Sequence, residues 1–181
     1  MSVPRIRLFA MDVDGVLTDN GIWIGEIDGR RVEFKRFDIQ DGLGLILLRW
    51  TDLQVAWVSA RPSAATALRA TELGIGEVLQ VGDARKVPAM TALLTRLGIA
   101  WHEVAYLGDD LADVPVLQRV GFPMAVSNAV AEAKALATFV TTAAGGFGAV
   151  REAVIHLLRQ RGDYEAVIAR YLEDRSAPVS M

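Results

Sequence analysis

The sequence predicts an α/β fold, a doubly wound and mainly parallel sheet of Rossmann-like type. Short apolar runs of strand length recur along the chain, and stretches of roughly 10 to 15 residues with helical period separate them. Such connections are crossovers between parallel strands. Two of the runs stop at clusters of aspartate and glycine, Asp12-Val13-Asp14-Gly15 and Gly108-Asp109-Asp110. Open parallel sheets bind ligands at the carboxyl ends of their strands, so the two clusters mark where chemistry is to be sought.

The first strand is expected over Ile6 to Met11, an apolar run ended by Asp12. Gly21 to Gly25 and Arg31 to Phe37 mix aromatic and β-branched residues with polar ones around Asp28-Gly29, a favoured turn pair, and predict a hairpin. Helices are then expected over Leu43 to Trp50, Ser63 to Leu73, Val87 to Leu97, Val130 to Leu136, Val150 to Arg161 and Tyr164 to Asp174. Strands are expected over Val55 to Ser59, Glu77 to Val81, Glu103 to Leu107, Phe122 to Val126 and Phe139 to Thr141. With 181 residues, 52% of them hydrophobic, the chain suits one domain with a real core. We expect that domain over 1–175 and a flexible tail over 176–181.

Composition removes several classes of function. Nineteen lysines and arginines against 22 aspartates and glutamates, with no basic run, argue against nucleic acid as a partner. No segment approaches about 18 uninterrupted apolar residues, which argues against a membrane span, and the early run is too short for a secretory signal. A cytoplasmic protein is expected. Without cysteine, and with only His102 and His156 as imidazoles, any metal must sit mainly on oxygen.

Asp12 and Asp14 leave the first strand on alternate residues and so share a side, while Gly15 permits a sharp turn beyond them. Clustered carboxylates repel one another and need a cation or a shared proton. An isolated Asp-x-Asp also reads as a polar turn with a helix cap, so context decides. If the strand ending at Leu107 lies parallel beside the first, Asp109 reaches the same edge and the acids suit Mg²⁺, a hard ion that prefers oxygen. Asp113, one helical turn on, supports the pocket, and Asp110 and Asp113 also read as helix caps. Ser59 at a strand end and Lys86 at a helix start suit a phosphate cradle. Three lysines against sixteen arginines single out Lys86 for a specific use.

Taken in order, Asp12-x-Asp14-Gly15-Val16-Leu17-Thr18-Asp19, Ser59, Lys86 and Gly108-Asp109-Asp110-x-x-Asp113 resemble the four motifs of the haloacid dehalogenase superfamily of phosphohydrolases. The hairpin, Phe37-x-x-x-Asp41-Gly42-x-Gly44, Arg61 with Arg69, and Gly145-Gly146-x-Gly148-Ala149-Val150-Arg151-Glu152 narrow the resemblance to its 3-deoxy-D-manno-octulosonate 8-phosphate phosphatases. It spans roughly Ile6 to Leu158.

No large insertion follows Asp19 or separates Ser59 from Lys86, so no cap domain is expected. The resemblance implies a phosphatase domain in which Asp12 is the nucleophile and Asp14 the general acid and base. It also implies Mg²⁺ on Asp12, Asp109 and the backbone carbonyl of Asp14, phosphate on Ser59 and Lys86, and a phosphorylated sugar acid met by Arg61 and Arg69. The family's homotetramers, which shield each site with a neighbour and gather the hairpins at the core, lead us to expect a homotetramer. Its place in lipopolysaccharide biosynthesis is implied in the same way.

Two positions depart from the pattern. Ser59-Ala60-Arg61 stands where Thr-Gly-Arg is usual, and Phe147 stands where arginine is frequent. A nonulosonate 9-phosphate or another small phosphomonoester therefore stays open as the substrate. A non-catalytic oligomeric module is the alternative of another class.

Overall fold

Residues 5–177 are described by a computed structural model, in which strands and helices alternate as the sequence predicts. β1 (Leu8–Met11), β4 (Gln54–Ser59), β5 (Glu77–Gln80), β6 (Val104–Gly108), β7 (Phe122–Ala125) and β8 (Phe139–Val140) form one parallel sheet in the order β5-β4-β1-β6-β7-β8. Every residue of β1 and β6 is buried. Their unbroken apolar runs, without polar alternation, are what strands covered on both faces require. β2 (Trp23–Ile27) and β3 (Arg30–Phe34) pair antiparallel as a separate hairpin turning at Asp28-Gly29. Among the described residues no cap domain is inserted.

The strand order sets the site. β1 lies between β4 and β6, with Met11 opposite Trp57 on one side and Leu107 on the other. The residues just beyond, Asp12, Ser59 and Asp109, therefore emerge together at one edge. Reversal of the strand order at β1 opens a crevice there, the usual ligand position in such sheets.

Helix ends follow local chemistry. α2 (Ala64–Leu73) begins where the Ser63 hydroxyl accepts from the Thr66 N–H, and Gly74 ends it in the left-handed conformation. α1 (Ile39–Leu47) starts before the expected Leu43 because Asp38 caps it, accepting from the Gln40 N–H at 2.7 Å. Its last expected turn tightens into a 3₁₀ helix over Leu48–Trp50. α3 (Lys86–Leu97), α5 (Ala131–Leu136) and α6 (Ala149–Arg161) lie within a residue of expectation. The short α4 (Val114–Leu117) went unseen because one turn has no readable period. α7 (Tyr164–Ser176) runs through Ser176, so the expected tail starts too early, and positions 178–181 lie outside the described residues.

Asp41 joins α1 to the loop before α6. It is buried, and its carboxylate accepts from the Arg151 N–H at 2.8 Å and the Gly148 N–H at 3.3 Å. Burial pushes its pKa up to about 6, against the pull of those two amides. A folded pKa above the ordinary 3.8 means that the native state binds the proton more tightly. Its contribution to stability is thus full below pH 4 and is lost as pH rises through 6, a difference of about 3 kcal/mol. Chemical denaturation of wild type and Asp41→Asn at pH 4 and pH 7 should show that the variant loses less stability over the interval. Equal losses would remove Asp41 as the cause.

Candidate active site

Asp12 and Asp109 are each 6% exposed, and Lys86 is 1% exposed. The Lys86 ammonium sits 2.9 Å from Asp12 Oδ1 and 2.7 Å from Asp113 Oδ1. Asp113 is held from every side. Tyr106 donates to its Oδ1 at 2.7 Å, while the Asp109 and Asp110 amides donate to Oδ2 at 2.9 and 3.3 Å. Asp113 is thus the anchor that fixes Lys86 and shapes the turn carrying Asp109. Asp110 is exposed and accepts from the Leu111 N–H at 2.6 Å, so it shapes the same turn through its own backbone.

Carboxylate oxygens of Asp12, Asp109 and Asp113 lie within 4.8 Å of one another. Asp113 has spent its oxygens on Lys86, Tyr106 and two amides. Asp109 Oδ1 is buried without a hydrogen-bond partner, an expensive state unless something else meets it. Burial, then the charge of Asp113, pushes Asp12 up to about 7 against the pull of Lys86. Burial, then Asp12 and Asp113, pushes Asp109 up to about 8. Burial also works against the charge of Lys86, yet Asp113 and Asp12 hold its ammonium above the ordinary lysine value. A cluster with more buried negative charge than one ammonium can answer, all of it on oxygen, fits a hard divalent cation between Asp12 and Asp109.

Two glycines make the arrangement sterically possible. A Cβ on Gly15, whose φ is +91°, would lie 2.0 Å from Asp109 Oδ2. A Cβ on Gly145 would lie 1.7 Å from the Gly15 carbonyl oxygen, so the glycine-rich loop before α6 packs directly on the turn after β1.

A family model described as haloacid dehalogenase-like hydrolase matches residues 62–153. The 3-deoxy-D-manno-octulosonate 8-phosphate phosphatase KdsC of Escherichia coli (strain K12) is 41% identical over 158 residues, which is 87% of this chain and 82% of that protein. The chain belongs to the haloacid dehalogenase-like hydrolase family. Among solved structures, the 3-deoxy-D-manno-octulosonate 8-phosphate phosphatase of Moraxella catarrhalis, in complex with magnesium ion, phosphate ion and KDO, superposes with a TM-score of 0.85. The two are 40% identical, covering 92% of this chain and 93% of that one. The cobalt-bound deoxy-D-mannose-octulosonate 8-phosphate phosphatase of Haemophilus influenzae gives a TM-score of 0.80 at 33% identity, covering 90% and 92%. This hydrolase is a phosphatase.

Around the buried centre, the rim of this phosphatase differs from what the sequence led us to expect. Asp14 is not one of the three clustered carboxylates and finds its partners at the rim. Its Oδ1 is 2.6 Å from the Lys35 ammonium, and the Ser59 hydroxyl reaches its Oδ2 at 3.3 Å. Ser59 also stands 3.0 Å from the Arg61 carbonyl oxygen. Arg61 is gripped by Glu33 at 2.5 and 3.3 Å, and Arg69 pairs with Glu72 at 2.7 Å. Neither guanidinium is free. Arg69 lines a cleft of about 700 Å³ between the hairpin and α2, together with Glu33, Lys35 and Ser63, and Arg61 is tied to that cleft only by its pair with Glu33.

Lys35, Glu33 and Tyr106 are the residues that sequence reasoning missed. The scarcity of lysine that singled out Lys86 applies equally to Lys35, whose side chain is fully buried. At Phe147 a cation is present after all: the Arg36 guanidinium lies 4.4 Å over the ring and donates to the Gly146 carbonyl at 2.5 Å.

Proposed function

We propose that this phosphatase hydrolyses the phosphomonoester of a sugar acid, 3-deoxy-D-manno-octulosonate 8-phosphate, through an aspartyl-phosphate on Asp12. The observation that carries the reading is the buried cluster of Asp12, Asp109 and Lys86 where β1 and β6 end side by side. Splitting one difficult displacement into two easier ones is what a carboxylate nucleophile contributes. Phosphomonoester hydrolysis is among the slowest uncatalysed reactions, so several effects must act together.

Lys86 holds Asp12 Oδ1, which leaves Oδ2 to attack phosphorus in line with the leaving sugar oxygen. Asp14 carries the proton to that oxygen and later takes one from the attacking water. Ser59 and Lys86 supply hydrogen bonds and charge to the transferring phosphoryl oxygens. Asp113 keeps Lys86 in place. Asp12, Asp109 and the Asp14 carbonyl would hold Mg²⁺, which would neutralise phosphate charge that one lysine cannot answer.

The same reading takes 1–175 as one phosphatase domain working in the cytoplasm as a homotetramer. Among the described residues no helix is long and apolar enough to cross a membrane. The hairpin supports assembly, for Trp23 and Phe34 face each other across its strands at 68% and 56% exposure. Phe147 in place of arginine favours keeping a nonulosonate 9-phosphate as a second substrate reading.

The test is phosphate release from octulosonate 8-phosphate, nonulosonate 9-phosphate, hexose phosphates and an aryl phosphate, each with Mg²⁺ and with excess chelator. We expect kcat/KM for the octulosonate ester to exceed that for hexose phosphates by at least about a hundredfold, the scale on which charged-group recognition discriminates. Activity should vanish with chelator and return with added Mg²⁺. A flat profile contradicts the sugar-acid assignment, and activity that survives chelation contradicts the metal assignment.

A further inference from the structure

The hairpin reaches the active site through two charged side chains. From one face of β3 and the residue that follows it, Glu33 runs to Arg61 and Lys35 to Asp14. The remainder of the hairpin is largely exposed, so these ions are its main hold on the site rim. Glu33 grips Arg61 as a two-point fork, the geometry in which a guanidinium binds any carboxylate. The Ser63 hydroxyl, 2.7 Å from Glu33 Oε1, keeps the carboxylate aimed. Arg61 follows Ser59 by two residues and shares its hydroxyl through both backbone groups, so the guanidinium starts from the phosphate pocket.

We propose that Glu33 is a specificity-determining residue, an internal carboxylate that occupies the Arg61 fork until the carboxylate of a substrate takes its place. The proposal rests on the sugar-acid reading and deepens it. Arg61 is the partly exposed member of the pair, at 33% against 16% for Glu33, so an incoming anion meets the guanidinium from solvent. A phosphate ester with a carboxylate gains the fork in exchange for Glu33. An ester without one has nothing to exchange and leaves the pair closed. Lys35, 3.8 Å from Glu33 Oε1, gives the displaced carboxylate a second cation to rest against. Glu33 thus lowers affinity for carboxylated substrates in general and keeps Arg61 from holding product or stray anions.

The experiment compares wild type with Glu33→Gln on two matched pairs, octulosonate 8-phosphate against an aryl phosphate, and 3-phosphoglycerate against glycerol 3-phosphate. The amide keeps the Ser63 contact and gives up the charge. We expect the ratio of kcat/KM, carboxylated over uncarboxylated, to rise about fivefold in both pairs, the scale of one partly exposed ion pair, through a lower KM for the carboxylated member. With Arg61→Gln in the background, the same change should leave the ratio where it was. A ratio that is unchanged or falls, or one that rises equally without Arg61, overturns the proposal. Where Glu33→Gln unfolds, Glu33→Asp, which shortens the reach and loosens the fork, decides by the same ratio. A wild type that ignores octulosonate 8-phosphate contradicts the sugar-acid reading, while the phosphoglycerate pair still judges Glu33.

Discussion

Asp12→Asn should leave less than about one ten-thousandth of wild-type phosphate release, the scale of loss when a covalent nucleophile is removed. The amide is nearly isosteric and keeps an oxygen for the 2.9 Å contact with Lys86, but it cannot attack phosphorus. Stability should hold. Asp12 is one of three buried carboxylates within 4.8 Å, and burial and Asp113 already push it up to about 7, so removing its charge relieves repulsion. Steady-state phosphate release and a thermal melt in chelator check both halves. Retention of a tenth of the activity would show that another group performs the attack.

Lys86→Met has a different signature, because it loses both activity and stability. Among the described residues the ammonium is the only cation in contact with Asp12 and Asp113, and all three side chains are buried, Asp12 nearly so and the other two fully. Removing one partner from a buried ion pair typically costs about 3 to 5 kcal/mol, since the remaining charges keep their desolvation penalty and lose their compensation. For a domain of this size that lowers the melting temperature by roughly 10 °C. Methionine fills much the same volume, so lost packing does not confound the result. Urea denaturation in chelator is the measurement. A change below about 1 kcal/mol would mean that the carboxylates are neutralised in some other way.

The buried centre was legible in the sequence because its parts lie where strands stop. Asp12 and Asp109 follow apolar runs of strand length, and the register of β1 between β4 and β6 brings them to one edge, as a parallel sheet requires. Asp113 was legible as the residue one turn beyond Asp109. The rim was not legible in the same way. Glu33 to Arg61 and Lys35 to Asp14 span 28 and 21 residues, and these contacts depend on how the hairpin folds back over α2. Period-2 patterning identifies a hairpin and is silent on the direction in which it docks. The sequence singles out Arg61 and Arg69 for a substrate carboxylate but does not show that Glu33 and Glu72 pair with them, because an arginine near a carboxylate finds it wherever the fold brings one. Arg36 over Phe147 carries the same lesson: the position matched to arginine has lost its cation, while the structure supplies one from 111 residues away.

In the proposed mechanism Asp12 carries the phosphoryl group between the two half-reactions. Single-turnover reaction with Mg²⁺, quenched in acid and followed by mass spectrometry of the peptide around β1, tests it most directly. A phosphorylated peptide with the group on Asp12 is expected, accumulating further in Asp14→Asn with an aryl phosphate, whose phenolate leaves without a proton from Asp14 while the water that releases phosphate lacks its base. Turnover at the normal rate with that peptide unmodified at every time point, or with phosphate on another residue, would contradict it.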